Sequence, residues 1–354
     1  MRNEAHALVV IDGTHGEGGG ALLRTALAMS ALTQQAVRIQ DARGGTKYPG
    51  LDIEDITLIK ALADTCNAET LGAEIGSHLV SFQPTTRPKG LKGQITSERN
   101  ASKRGSNALV ILNALLPVLA RSGVYSSLFV EGETYGSNSL SHDYFANVTL
   151  PALRHTGLYA FPELVRAGFG REACGQVALD VEPSSLVGID WTERGSLRSV
   201  KAIVSTASLP STVADRIASH LLRMSQNAGL KLLVEKHDLQ AGERGAFVTI
   251  WATYDRGMGG GTAIGTTSIR AETLAQMAFE ELLEWMSTPS TTDPYLADQI
   301  LLPLVMAESA STFTVSQLTR RFLTSVWVVK QFTPIHITVR GVENGPGTVT
   351  IQRV

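Results

Sequence analysis

Cysteine is nearly absent from this chain: Cys66 and Cys174 are the two in 354 residues. Two thiols make neither a disulfide framework nor a four-ligand zinc site, so a reducing cytoplasm is the expected compartment. Long apolar runs are also lacking, since none reaches the ~18 residues a membrane span requires. The opening Met1-Arg2-Asn3-Glu4-Ala5-His6 has no apolar signal core. No membrane partner is expected. An excess of either charge is missing too. Lys and Arg number 31 against 33 Asp and Glu, for a net charge of −2, so no global basic field advertises nucleic acid. Any RNA contact must come from a local patch. The densest runs from Arg87 to Arg104, with Arg87, Lys89, Lys92, Arg99, Lys103 and Arg104 against Glu98; a solvated loop is its plainer meaning.

What the chain does hold is apolar bulk and glycine. Hydrophobic residues make up 43%, enough for one large domain or two of ordinary size. The most informative stretch is 7–33. An apolar run over 7–11 reads as a buried strand, glycines crowd 13–20, and leucines and alanines at helical spacing follow over 21–32. A strand, a glycine loop and a helix in that order let backbone N–H groups approach an anion. The loop is neither a Walker A sequence nor the dinucleotide fingerprint. Glu17 stands alone between Gly16 and Gly18. Beside a phosphate its carboxylate is repulsive unless a hard divalent cation lies between them. Arg24, one turn into the helix, is in reach of the same anion. A tight turn needing positive φ at several glycines explains the loop equally well.

Elsewhere strands and helices alternate. The patterns predict a helix opening at Asp52 with Ile53, Ile56, Ile59 and Leu62 on one face, and helices over 107–120 (capped by Ser106) and 141–156 (closed by Gly157), with strands over 78–82 and 126–130. The pattern changes near 185. A strand over 200–205, a helix over 211–229 and strands over 230–234 and 246–253 follow. A glycine cluster at 257–261 then precedes a helix over 272–286. The low-complexity link 287–292 reads as a hinge. Beyond it come a helix over 295–307, a strand over 312–315, a helix over 318–330 and strands over 335–339 and 348–352. The fold class expected is α+β with an inserted smaller α/β domain at 185–289, flanked by a large domain of 1–184 and 290–354.

Four segments, in order, resemble the RNA 3′-terminal phosphate cyclase family. They are Asp12-Gly13-x-x-Gly16-Glu17-Gly18-Gly19-Gly20 with Arg24; Arg43 with Pro49-Gly50-Leu51; Ala207-x-Leu209-Pro210 with Ala214-x-Arg216; and Tyr295-Leu296-Ala297-Asp298-Gln299 followed by Phe313-Thr314-Val315. The resemblance implies a large domain of three repeats, each a four-stranded sheet with two helices, similar to the C-terminal domain of translation initiation factor three. It implies ATP with Mg2+ or Mn2+ as cofactors and an RNA 3′ end as partner. Glu17 corresponds to the metal-binding carboxylate. Gly18, Gly19, Gly20, Arg24 and Arg43 correspond to the phosphate site, and Tyr295, Asp298 and Gln299 to the ATP pocket. In the family's chemistry a histidine attacks the α-phosphate of ATP. AMP then passes to the RNA 3′-phosphate, and the neighbouring 2′-hydroxyl closes a 2′,3′-cyclic phosphate.

The chain departs from this pattern where the nucleophile belongs: the position is Arg321. A guanidinium with a pKa above about 12 has no lone pair with which to attack phosphorus. Ala21 replaces a glutamine, Thr46 a second arginine, and Glu54-Asp55 a Gln-His pair. The Gly-Gly-Thr pattern is broken at Glu131-Gly132-Glu133-Thr134, and the prolines expected over 137–141 are missing. His15, on the glycine loop, is the nearest substitute imidazole. His142 and His336 read as a helix-start and a strand residue. Two functions compete: an ATP-dependent RNA 3′-phosphate cyclase with altered chemistry, or an inactive cyclase-like RNA-binding protein of RNA processing or ribosome assembly. An enolpyruvate-transferase-like enzyme of related fold is a third, which no motif selects.

Overall fold

The chain passes three times through strand, helix, strand, helix, strand, strand, and each pass closes one mixed sheet of the same order. The computed structural model describes residues 8–96, 105–138, 141–170, 172–266 and 268–353. In the first pass, β1 (Val9–Asp12), α1 (Gly20–Thr33), β2 (Val37–Gln40), α2 (Ile53–Cys66), β3 (Glu69–Leu71) and β4 (Val80–Gln83) give the order β1-β2-β4-β3. The first pair is parallel and the rest antiparallel. The second pass has β5 (Lys92–Ile95), α3 (Ala108–Ala120), β6 (Ser126–Gly132), a second helical stretch, β7 (Ala160–Arg166) and β8 (Gly175–Val181), ordered β5-β6-β8-β7. Its helical stretch is α4 (His142–Tyr144), a wider π turn over Phe145–Thr149, and α5 (Leu150–Arg154). The single helix expected over 141–156 is therefore interrupted.

The third pass is split. Its first strand, β9 (Asp190–Trp191), pairs in parallel with β14 (Ser311–Val315) across more than a hundred intervening residues. Between them the chain forms β10 (Leu197–Ala207), α6 (Ser211–Asn227), β11 (Leu232–Asp238), β12 (Gly245–Tyr254), β13 (Met258–Ile264) and α7 (Ala271–Met286), with the sheet β11-β10-β12-β13. Then come α8 (Pro294–Val305), β14, α9 (Arg320–Phe332), β15 (Ile335–Gly341) and β16 (Gly347–Arg353), which complete the order β15-β16-β14-β9. The α+β class and the threefold repeat hold. We propose the inserted domain as the stretch that carries the β10–β13 sheet. The pairing of Asp190 and Trp191 with β14 places these two residues outside it.

Burial explains the layout. α1 and α3 are apolar almost all round, so each is enclosed on every side rather than laid on a surface. α1 packs against α2, α3 and α9 and forms the centre of the main core. The β10–β13 sheet has a second core against α6 and α7. Its opposite face, through Ile203, Trp251 and Met258, joins the main core.

Two local expectations are corrected. Asn107, not Ser106, caps α3, because its side-chain oxygen accepts the Leu109 and Val110 N–H groups at 2.9 and 3.2 Å. The glycine cluster at 257–261 runs into β13. A Cβ on Gly261 would overlap the Ala278 carbonyl and one on Gly259 the Trp285 ring, so their absence lets β13 lie directly on α7. The link at 287–292 is no hinge: Thr291 and Thr292 are fully buried and bond to Thr314 and Trp191. Of the basic run, Arg87, Lys89 and Lys92 are exposed, while Arg99, Lys103 and Arg104 lie outside the described residues, as does part of 137–141. Among the described residues no helix is long and apolar enough to cross a membrane.

One residue ties these parts together. Asp293, wholly buried, caps α8 by accepting the Tyr295 and Leu296 N–H groups at 2.7 and 2.9 Å. Its other oxygen accepts the Gly260 N–H of β13 at 2.8 Å and the Tyr144 hydroxyl at 2.5 Å. Asp293→Ala leaves four donors without their acceptor and should lower unfolding stability by roughly 2–4 kcal/mol. A urea titration with unchanged midpoint would contradict this account.

Candidate functional site

The glycine loop is shaped by close approach. Gly16 and Gly18 hold φ of 61° and 59°, a conformation most side chains resist. A Cβ on Gly16 would overlap the Thr324 hydroxyl, which accepts the Glu17 N–H at 2.9 Å. Thus the missing side chain lets the loop dock on α9. His15 stacks on Trp327 of that helix with ring centres 3.7 Å apart. The Gly18 N–H goes to the His15 carbonyl at 2.8 Å, so of the three glycines expected at an anion, Gly18 is already engaged. Gly19 and Gly20 begin α1 without a side-chain cap.

Beside the loop, α1, α3, α8 and α9 enclose about 760 Å3 of empty space open to solvent. Arg24, Tyr295, Asp298, Gln299 and Arg321 all line it. Five of the residues singled out from the sequence therefore come together. Asp298 on α8 and Arg321 in the first turn of α9 form an ion pair, Nε to Oδ2 at 2.5 Å. A cation in a first helical turn opposes the helix dipole, and Asp298 offsets that cost. The Arg321 guanidinium also lies over the Tyr295 ring, 5.7 Å from its centre. Burial raises the Asp298 carboxyl above its ordinary range while Arg321 holds it back; Glu17, near enough to interact with both, pushes it up further. Burial disfavours the Arg321 charge, but Asp298 and Glu17 outweigh it and keep the pKa above its ordinary value. The second Asp298 oxygen, Oδ1, is buried with no partner among the described residues.

Gln299 is fixed from the π turn: Thr149, displaced by the wider winding, donates its hydroxyl to Gln299 Oε1. Asn113 and Ser325 are two further polar groups of the lining. The sequence reading missed both, although Asn113 is the one strongly polar side chain in the otherwise apolar α3.

Arg43 is not among the residues that line this cavity. Its Nη1 binds the Asp52 carboxylate and Asp55 Oδ2, the latter at 3.0 Å. Asp52 and Asp55 make a reciprocal capping box at the start of α2. Burial, with the neighbouring Asp52 charge, pushes Asp55 up to about 7 against the pull of Arg43. Glu54, equally buried, accepts the Asn107 N–H at 3.1 Å and faces Arg24 at 3.5 Å. The two carboxylates that replace Gln-His are therefore the internal partners of the two expected phosphate arginines. Among the described residues no group of three His, Cys, Asp or Glu side chains gathers to hold a metal.

Three similarities bear on this geometry. The family model for RNA 3′-terminal phosphate cyclase matches residues 15–339. The cyclase so named from Methylococcus capsulatus is 35% identical over 350 residues, covering 98% of this chain and 96% of that one. Those of Thermococcus gammatolerans and Nostoc punctiforme are 34% and 32% identical, covering 98% and 92% of this chain and 98% and 94% of their own. A repeat-built α+β fold around an arginine- and carboxylate-lined cavity is the class. The chain belongs to the RNA 3′-terminal phosphate cyclase family. A solved enolpyruvyl transferase, NikO from Streptomyces tendae, is similar at a TM-score of 0.37 and 10% identity, covering 98% of this chain and 48% of its own. That likeness is too slight to bear on function.

Two measurements probe the site. In a double-mutant cycle of Arg321→Met and Asp298→Asn, the coupling should be about 1–3 kcal/mol, because each single change leaves a largely buried charge unpaired. Additive effects would mean the pair contributes nothing. Glu281, which accepts the Thr262 N–H at 2.6 Å and bonds to Tyr295, is pushed up to about 7, chiefly by burial. An acid whose folded pKa lies above its unfolded one binds more protons when folded, so its contribution to stability falls as pH rises between the two and is flat beyond. Relative to Glu281→Gln, the unmodified protein should lose roughly 2–3 kcal/mol between pH 4.5 and 7.5 in urea melts. Parallel pH curves for the two proteins would refute this.

Proposed function

We propose that this protein binds an RNA 3′ end in the cavity between α1, α8 and α9 without forming a histidine–AMP intermediate. The observation that carries the reading is the Arg321–Asp298 ion pair at the nucleophile position. A guanidinium has no free lone pair, and this one is further held in its charged form by Asp298. The substrate class follows from the names of the relatives. Arg321 Nε is taken by Asp298, while its terminal nitrogens make no protein hydrogen bond among the described residues; they are donors suited to a single phosphate.

The metal role expected of Glu17 does not enter this reading. Glu17 and Asp298 both act on the Arg321 charge, Asp298 by direct contact and Glu17 through space, and a hard cation needs six or more oxygens, several of them from ligand or water. ATP use is what family membership implies.

An active cyclase is the second reading, and the 35% identity to a named cyclase over 98% of the chain favours it. It requires a different nucleophile. His15 is the imidazole on the loop, with one face covered by Trp327.

The test is incubation with α-labelled ATP and Mg2+ or Mn2+, followed by a search for acid-labile protein-bound AMP. No adduct is expected. RNA ending in a 3′-phosphate should bind, and Arg321→Ala should weaken that binding by roughly tenfold. Robust cyclic-phosphate formation with AMP release, lost in His15→Ala, would establish the second reading instead.

A further inference from the structure

The arginines beside the cavity are already matched by the protein's own carboxylates. Arg24 faces Glu54, Arg43 holds Asp52 and Asp55, and Arg321 holds Asp298. Glu17 adds a fifth acid to the same group. Among the described residues, five carboxylates accompany these three arginines. The Asp55 carboxylate also stands against the opening of α1. Its Oδ1 is buried without a partner among the described residues and lies 3.7 Å from where a Cβ on Gly20 would be. A helix N-terminus favours an anion, and here the anion is part of the chain.

The cavity itself is built for something less charged. Its walls are largely apolar, from α1, α3 and α8, with one aromatic face, Tyr295. Besides the charged Arg24, Asp298 and Arg321, its polar groups are carboxamides and hydroxyls, Asn113, Gln299 and Ser325 among them. These recognise N–H and C=O edges rather than formal charge. Asp298 Oδ1, buried and unpartnered, is an acceptor that needs an O–H or N–H donor from whatever enters. A phosphate oxygen would be repelled from it; a ribose hydroxyl or a base amino group would satisfy it.

We infer that the cavity takes a nucleoside, a base with its ribose and at most one phosphate, and discriminates against nucleoside triphosphates. Glu54 and Asp55 set that discrimination by holding the arginines a polyphosphate would need. The inference rests on the proposed function to the extent that the natural nucleoside is the last residue of an RNA. It disagrees with the ATP use that the family implies, because the residues that would compensate a polyphosphate are engaged.

Calorimetric titration with adenosine, guanosine, cytidine, uridine, AMP and ATP, each with and without Mg2+, tests it. At least one nucleoside should bind. AMP should bind within about threefold of adenosine and ATP at least tenfold more weakly, whether or not Mg2+ is present. Glu54→Gln and Asp55→Asn keep an acceptor for the Asn107 and Asp52 N–H groups, so both should fold, as thermal melts would verify. Each should raise ATP affinity several-fold and leave adenosine unchanged. ATP binding to the unmodified protein more tightly than adenosine overturns the inference. So does a failure of all four nucleosides to bind, or an ATP-to-adenosine ratio untouched in both folded variants. Loss of RNA 3′-end binding with nucleoside binding intact would refute the proposed function and leave this inference standing.

Discussion

The pairing of largely buried charges governs the region where α1, α2, α8 and α9 meet. An arginine in such a place must have a carboxylate, and a buried carboxylate must have a donor, because neither can be left unpaired without a cost of several kcal/mol. The positions Glu54, Asp55 and Arg321 look like separate losses along the chain. In space Glu54 and Asp55 accompany Arg24 and Arg43, and Arg321 accompanies Asp298. A site that would otherwise need a ligand to balance its cations balances them itself.

The scaffold makes this arrangement possible. α1 is surrounded by other helices, so its glycine-rich start is held against α9 rather than left in solvent. α8 is oriented by Asp293, whose four donors come from its own first turn, from β13 and from α4. The inserted sheet therefore contributes to the cavity at one remove. Through Gly260 it fixes the turn that carries Tyr295, Asp298 and Gln299. The π turn does the same for Gln299 through Thr149, at the cost of a regular helix.

Much of the architecture was legible in advance. The long apolar helices and the central strands β4, β6, β10, β12, β14 and β16 follow from periodicity, which reports burial directly, while the central β2 and β8 went unread. Short strands were not: β3, β5 and β9 are three, four and two residues long and lie largely at sheet edges. Edge strands carry little alternation because one side of the ladder is open. The sequence pattern left the glycines of β13 outside any strand. Gly259 and Gly261 lack a side chain because a helix passes over them, a reason invisible without the helix. The buried threonines at 291 and 292 were read as a polar hinge, since composition does not report that Thr314 and Trp191 would satisfy them.

The sequence by itself determined the family and the residue types at the site: a glycine loop with Glu17 and Arg24, a Tyr-Asp-Gln group at 295–299, and an arginine where a nucleophile was expected. It also set the expectation that position 321 is not adenylylated, since a charged guanidinium offers no free lone pair. Only the tertiary structure decided which charges meet. Arg24 and Glu54 are 30 residues apart, Arg43 and Asp55 12, and Asp298 and Arg321 23. Residue type says that a side chain is charged. Whether the charge is free for a ligand depends on what stands within a few ångströms, and the folding of distant segments onto α1 sets that.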